Sequence, residues 1–202
     1  MTYHQPFQVV GFHSCDKEVG LKVLNGEMDL KASENTWDWL GSGIYFWEQN
    51  PGRALEYANE SAAGTQKNRI RITTPFVIGS VIELGKCLNL VEPDSLNVVK
   101  DAYSTLIQLY AETNKNMPVN KGARRELDCA VIKHVHKYFK AKGLQPYDTV
   151  RCAFQEGGEI YKGSNFTDRL HIELCVINKD MIKGYFLPRP IHAFNPHLKN
   201  AA

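Results

Sequence analysis

The 202 residues predict an α+β fold. Segments with strand character and segments with helical periodicity are both present, and they do not alternate as regular β-α-β units. With 43% hydrophobic and 10% aromatic residues, the chain can bury a substantial core without disulfide staples. No repeat, low-complexity tract or linker-like stretch interrupts it, so one domain over residues 1–202 is expected. Lys and Arg number 24 against 22 Asp and Glu, a net charge of +2. That balance argues against a charge-driven nucleic-acid binder but leaves room for a small basic patch.

The elements follow in order. Phe7–Phe12 (F-Q-V-V-G-F) is a short β-rich run ending at His13. Asp16–Leu24 predicts a helix: Val19, Val23 and Leu24 recur at helical spacing, Ser14 or Asp16 can cap its start, and Asn25-Gly26 stops it. Ser33–Trp39 has no period and predicts a loop, and Ile44–Trp47 a very short strand. Pro51 opens a helix through Ala63, because the first helical position needs no N–H, with Ala54, Leu55 and Ala58 on one face. Arg69–Leu84 reads as two extended runs around Pro75 and Gly79. Ser95–Thr113 and Leu127–Lys142 predict helices, the second with Leu127, Val131, Val135 and Phe139 four residues apart. The polar segment Asn114–Lys121 between them is expected to be mobile. Thr149–Phe186 holds strands and turns, of which His171–Ile177 is the clearest strand.

Several function classes drop out. Five widely spaced cysteines without a C-x-x-C pair predict reduced thiols in a cytoplasmic protein. No run approaches the ~18 apolar residues of a membrane span, so no membrane partner is expected. Dinucleotide-fold, P-loop, nucleophile-elbow and zinc-protease motifs are all missing. His134 and His136 are two apart on a helix, where side chains diverge, so no metal is expected. Lys121–Arg125 (K-G-A-R-R) is either a solvated helix start or a phosphate contact.

The informative stretch is Trp37–Ala58. Gly41 and Gly43 flank Ser42, which lets the backbone turn sharply and approach a ligand. Trp37, Trp39, Tyr45, Phe46 and Trp47 then crowd into eleven positions, either as core or, for Tyr45, as a ring face open to a planar ligand. Gly43-Ile44-Tyr45-Phe46, followed by a helix carrying Glu56-Tyr57-Ala58, resembles a signature of the poly(ADP-ribose) polymerase and diphtheria-toxin-like ADP-ribosyltransferases. Phe12-His13-Ser14, just ahead of a helix, is similar to that family's first signature, a strand ending in His with a small residue after it. The chain departs from the polymerases at Pro51-Gly52-Arg53, where they carry a small hydroxyl residue early in the helix.

The resemblance implies a split antiparallel β-sheet core with flanking helices, NAD as co-substrate and no metal. It assigns His13 to a ribose hydroxyl, Ser14 and nearby backbone to the nicotinamide amide, and Tyr45 with Tyr57 to the nicotinamide ring. The loop with Ser33 and Asn35 would wrap the nicotinamide–ribose side against Gly43, and Arg53 either meets an NAD phosphate or is a surface residue. The family's third element is a glutamate near the start of a late strand. Glu156 ranks first, ahead of a Gly-Gly pair, with Glu159 second and Glu173, inside a strand, left open. A stand-alone domain of this size resembles toxin-type and phage-defence members. These would transfer ADP-ribose to a macromolecule, with RNA or DNA favoured and an antitoxin protein as a possible partner. Lys121, Arg124 and Arg125, extended by Lys162, Lys179, Lys183 and Arg189, would form the basic rim. The alternatives are a protein acceptor, an NAD glycohydrolase, or an inactive module that binds NAD or ADP-ribose.

Overall fold

The computed structural model describes residues 7–64 and 72–198. In chain order its elements are β1 (Gln8–Asp16), α1 (Lys17–Leu24), β2 (Ile44–Glu48), α2 (Pro51–Ala62), β3 (Pro75–Glu83) and β4 (Cys87–Asn89). They continue with α3 (Pro93–Glu112), α4 (Glu126–Ala141), β5 (Thr149–Glu159), β6 (Thr167–Val176), β7 (Ile182–Phe186) and α5 (Ile191–Phe194). The fold is α+β. Its strands form one seven-stranded mixed sheet in the order β4-β5-β6-β2-β1-β3-β7, antiparallel throughout except for the β4–β5 pair.

Strand alternation gives the sheet two faces with different covers. One carries Val9, Cys15, Ile44, Phe46, Phe76, Ile78, Ile82, Leu174 and Val176, packed beneath α1 through Val23. The other face is covered in two separate places. α2 lays Ala54 on Phe12, Trp47 and Val77, while α3 and α4 lay Ala102, Leu106, Val131, Ile132 and Val135 on Leu88, Val150 and Cys175. Phe46 and Phe76 are fully buried, and truncating either to Ala would cost about 3–5 kcal/mol. No helix of the described residues is long and apolar enough to cross a membrane.

Local chemistry explains the boundaries. Asp16 is the cap of α1, accepting from the Glu18 N–H, and Asn25 followed by Gly26 at φ 74° ends the helix. Asn50 caps α2 through the Arg53 N–H, with Pro51 at the first turn. The start of α4 is capped from outside. Asn120, at the end of the polar segment expected to be mobile, accepts from the Leu127 and Asp128 N–H groups and donates to Asp128.

Three expectations change. β1 runs on through His13, Ser14 and Cys15 to Asp16, because β3 pairs with it over that whole length. The two runs expected around Pro75 and Gly79 are one strand over Pro75–Glu83; Arg69 to Arg71 lie outside the described residues. Gly79 does not break β3, since a Cβ there would sit 2.4 Å from the Phe186 ring that packs on it from β7. The three-residue β4 is too short to carry a period and has no sequence signal.

Candidate active site

β1 pairs with β3 in nine rows but with β2 in only two, Gly11 with Glu48 and Phe12 with Trp47. Beyond Phe12 the two strands part, and the His13 ring takes up the fork. Its Nδ1 lies 2.8 Å from the Tyr45 carbonyl oxygen, which can only accept, so Nδ1 carries the proton. Burial holds the His13 pKa below its ordinary value, opposed by that bond to Tyr45, and the ring is neutral at pH 7. Nε2 is therefore an acceptor, without a partner among the described residues. His13 shares its side of the sheet with Phe46, whose ring centroid is 5.6 Å away.

Tyr45 projects from the opposite side of β2. Its hydroxyl donates to the Gly41 carbonyl at 2.7 Å and accepts from the Leu40 N–H at 3.0 Å. Burial pushes its pKa far above the ordinary tyrosine value, so the group is an anchor rather than an acid or base. Tyr45 is half-buried and packs against the core cluster that α3 and α4 cover. Gly43 makes the approach of β2 to β6 possible: a Cβ there would meet Cys175 Sγ at 2.5 Å and the Val176 carbonyl at 2.6 Å.

The three candidate glutamates separate clearly. Glu173 faces Trp47 across the β2–β6 ladder, two rows from the Tyr45–Cys175 pair, so Tyr45 and Glu173 are diagonal neighbours on one face. Its side chain is 19% exposed. Glu156 is on that face too, but farther along β5, where it pairs with Arg53 Nη2 at 3.1 Å. Glu159 is exposed and accepts from the Gly163 N–H at 2.9 Å, closing the turn between β5 and β6. The fold thus sets Glu173 beside Tyr45 and gives Glu156 to Arg53.

The remaining predicted residues divide by whether their polar atoms are already used. The buried Ser14 hydroxyl donates to the Ala54 carbonyl in α2. Ser33 donates to Asp38 at 2.7 Å and Asn35 donates to Ser33 and Asp38, so this trio shapes its own loop, which a Ser33–Gly43 bridge ties to β2. Tyr57 packs on Trp47 with ring centroids 5.0 Å apart. Arg53 is only 9% exposed and stands 5.7 Å from the Trp47 ring centroid. Its Nε and Nη1 are buried without hydrogen-bond partners among the described residues, although Glu56 is within ion-pair range of Nη1 at 3.4 Å. Arg53 also borders a cavity of about 170 Å³ between the start of α2 and β6, lined with Gly52, Glu56, Arg169, Leu170 and His171. Neither His13 nor Tyr45 lines it.

Sequence reasoning assigned nothing to His171 or Arg169. His171 is buried two places before Glu173, and Arg169 pairs with Glu56 and Glu60 of α2. The signal for His171 was present in the H-x-E spacing, which on a strand puts both side chains on one face. Three of the seven residues of the basic rim are ion-paired: Arg124 with Glu126, Arg125 with Asp128 and Lys183 with Glu83. Arg124 and Arg125 also stack on Trp37 and Trp39. All five cysteines are free, with Cys15, Cys129 and Cys175 buried. Among the described residues no group of three or more metal-ligating side chains converges. No family model, curated protein or solved structure matches this chain.

Proposed function

We propose that this chain is an NAD-dependent ADP-ribosyltransferase that moves ADP-ribose from NAD to a macromolecular acceptor. The observation that carries it is the fork between β1 and β2, where the His13 ring bonds the Tyr45 carbonyl and Glu173 stands beside Tyr45 on the next strand. Three strands distant in sequence contribute the histidine, tyrosine and glutamate that the resemblance implies. Their states suit the chemistry. Neutral His13 accepts at Nε2 from a ribose hydroxyl on its side of the fork, and the anchored Tyr45 ring, on the other side, offers a face to the nicotinamide. The C–N bond between ribose and nicotinamide breaks, its electron pair leaves with neutral nicotinamide, and the Glu173 carboxylate stabilises the positive charge developing on the ribose. The acceptor's nucleophile then bonds the ribose carbon and gives up its proton. Buried Arg53, whose Nε has no hydrogen-bond partner among the described residues and whose Nη1 has only the Glu56 ion pair at 3.4 Å, is an available donor to NAD. Because the cavity beside it is below the ~300 Å³ of a drug-sized site, most of a dinucleotide would lie outside it.

The test is incubation of the purified chain with labelled NAD and a cell extract, which is then split into protein, RNA and DNA. Nicotinamide release with label in one fraction is expected, and that fraction names the acceptor. Glu173→Gln is expected to slow release by about 10²-fold or more, and Glu156→Gln by less than about threefold. Free nicotinamide without labelled macromolecule would replace transfer by hydrolysis. No nicotinamide at all would sink the enzymatic reading in favour of a binding module.

A further inference from the structure

His171 precedes Glu173 by two residues on β6, so both side chains emerge on the face that carries Tyr45. The imidazole is 1% exposed, and the Phe154 ring lies against it with centroids 6.2 Å apart. Nδ1 is 2.8 Å from the Arg169 carbonyl oxygen, and Nε2 is 3.4 Å from Glu173 Oε1. A carbonyl only accepts, and so does an ionised carboxylate. Both ring nitrogens therefore face acceptors, and only the doubly protonated ring donates to both. With a single proton on Nδ1, the Nε2 lone pair would point at the carboxylate oxygen.

We propose that His171 is a positioning residue for Glu173, its Nε2–H holding the carboxylate in the orientation from which it faces the reacting ribose beside Tyr45. This rests on the transferase reading of the same site. The charged and titratable groups around the imidazole are Glu173, Arg169 and Asp168 on β6, Glu156 and Cys152 on β5, and Arg53 and Glu56 on α2. Burial pulls the His171 pKa down, but the bonds to Glu173 and the Arg169 carbonyl and the charges of Glu173 and Glu156 outweigh it. The pKa lies above its ordinary value. As pH rises through that raised value the Nε2 proton leaves, Glu173 loses its donor, and turnover falls on the alkaline side.

Nicotinamide release from NAD by the full chain, followed against pH for wild type, His171→Gln and His171→Leu, tests this. Glutamine keeps an N–H donor near the Nε2 position without titrating. His171→Leu is expected to lower kcat about 10- to 100-fold with KM changed less than about twofold. His171→Gln is expected to stay within about fivefold of wild type and to lose the alkaline fall. Wild-type kcat and pH dependence in His171→Leu would overturn the proposal. So would His171→Gln as slow as His171→Leu, because the ring would then matter only for packing. A readout independent of turnover is the NMR titration of the His171 ring in wild type and Glu173→Gln. Its pKa is expected to drop in the variant, and an unchanged titration would refute the pairing. A wild-type chain that releases no nicotinamide would defeat the transferase reading and the catalytic role with it, while the titration still decides whether the pair exists.

Discussion

Tyr45 shows how one side chain can serve two purposes that substitutions separate. Its hydroxyl satisfies the Leu40 N–H and the Gly41 carbonyl, whereas in the proposed transferase its ring is the surface offered to the nicotinamide. Tyr45→Phe keeps the ring and strands both backbone groups, so it is expected to cost about 1–2 kcal/mol of stability in urea unfolding while leaving the KM for NAD nearly unchanged. Tyr45→Ala removes the ring and is expected to raise that KM about tenfold. If both variants raise KM equally, the hydroxyl rather than the ring is what the ligand needs. A second pair of residues, on the other face, is purely structural. Arg151 grips Glu48 with Nε at 2.6 Å and Nη2 at 2.8 Å, reaching across β6, and the two side chains are only 12% and 10% exposed. Arg151→Met leaves a buried carboxylate without its cation and is expected to cost about 3–5 kcal/mol. Loss of only a few tenths in the unfolding free energy would mean that water already reaches Glu48.

At the scale of elements, one side chain fastens the joint between β1 and α1 to the entry of β3. One Asp16 oxygen accepts from the Glu18 N–H, and the other accepts from the N–H groups of Thr73 and Thr74 at the entry to β3. Burial opposes ionisation, but these three bonds win and hold the Asp16 pKa below its ordinary value. The sign follows from that direction. The stabilisation is fully present above the ordinary carboxylate pKa of about 4 and disappears as pH falls through the depressed native value. Asp16→Ala is expected to cost about 1–2 kcal/mol at pH 7, with the gap to wild type closing as unfolding is measured at progressively lower pH. A gap independent of pH would assign the loss to side-chain packing instead. The β5–β6 hairpin is fastened to α2 in a similar cross-element manner, by Arg53–Glu156 and by Arg169 with Glu56 and Glu60. Arg53, Glu56 and Arg169 of these pairs line the cavity between the start of α2 and β6.

Across the whole molecule, the last described segment closes the sheet where β7 does not reach. β7 pairs with β3 from Gly79 onward, leaving Val77 without a strand partner on that side. Asn195, fully buried, supplies it: its Oδ1 accepts from the Val77 N–H at 2.8 Å and its Nδ2 donates to the Val77 carbonyl at 2.9 Å. Val77 in turn belongs to the cluster on which α2 rests. Asn195→Ala leaves two buried backbone groups unsatisfied and is expected to cost about 2–3 kcal/mol. Hydrogen exchange should show the loss concentrated in β3 and α2. An Asn195→Ala chain as stable as wild type would mean that water replaces the amide.

The sequence by itself determined what local chemistry and short-range periodicity encode. Helices α1 to α4 are legible because Pro51, Asp16 and Asn25-Gly26 act within a turn of their own positions and the apolar residues repeat at helical spacing, whereas the four-residue α5 is too short to carry a period. The β2 strand and its Gly-x-Gly approach are legible for the same reason, as is the mixed α+β class. Which of Glu156, Glu159 and Glu173 stands beside Tyr45 was not legible, because strand alternation says which residues share a face but not which strand lies beside β2. Only the sheet order decided that. It set β6 against β2, took Glu173 to Tyr45, and left Glu156 to an arginine 103 residues away in sequence. The parting of β1 from β2 after Phe12 is tertiary in the same sense. It arises where β3 continues to pair with β1 and β6 continues to pair with β2, and no spacing within either strand records it.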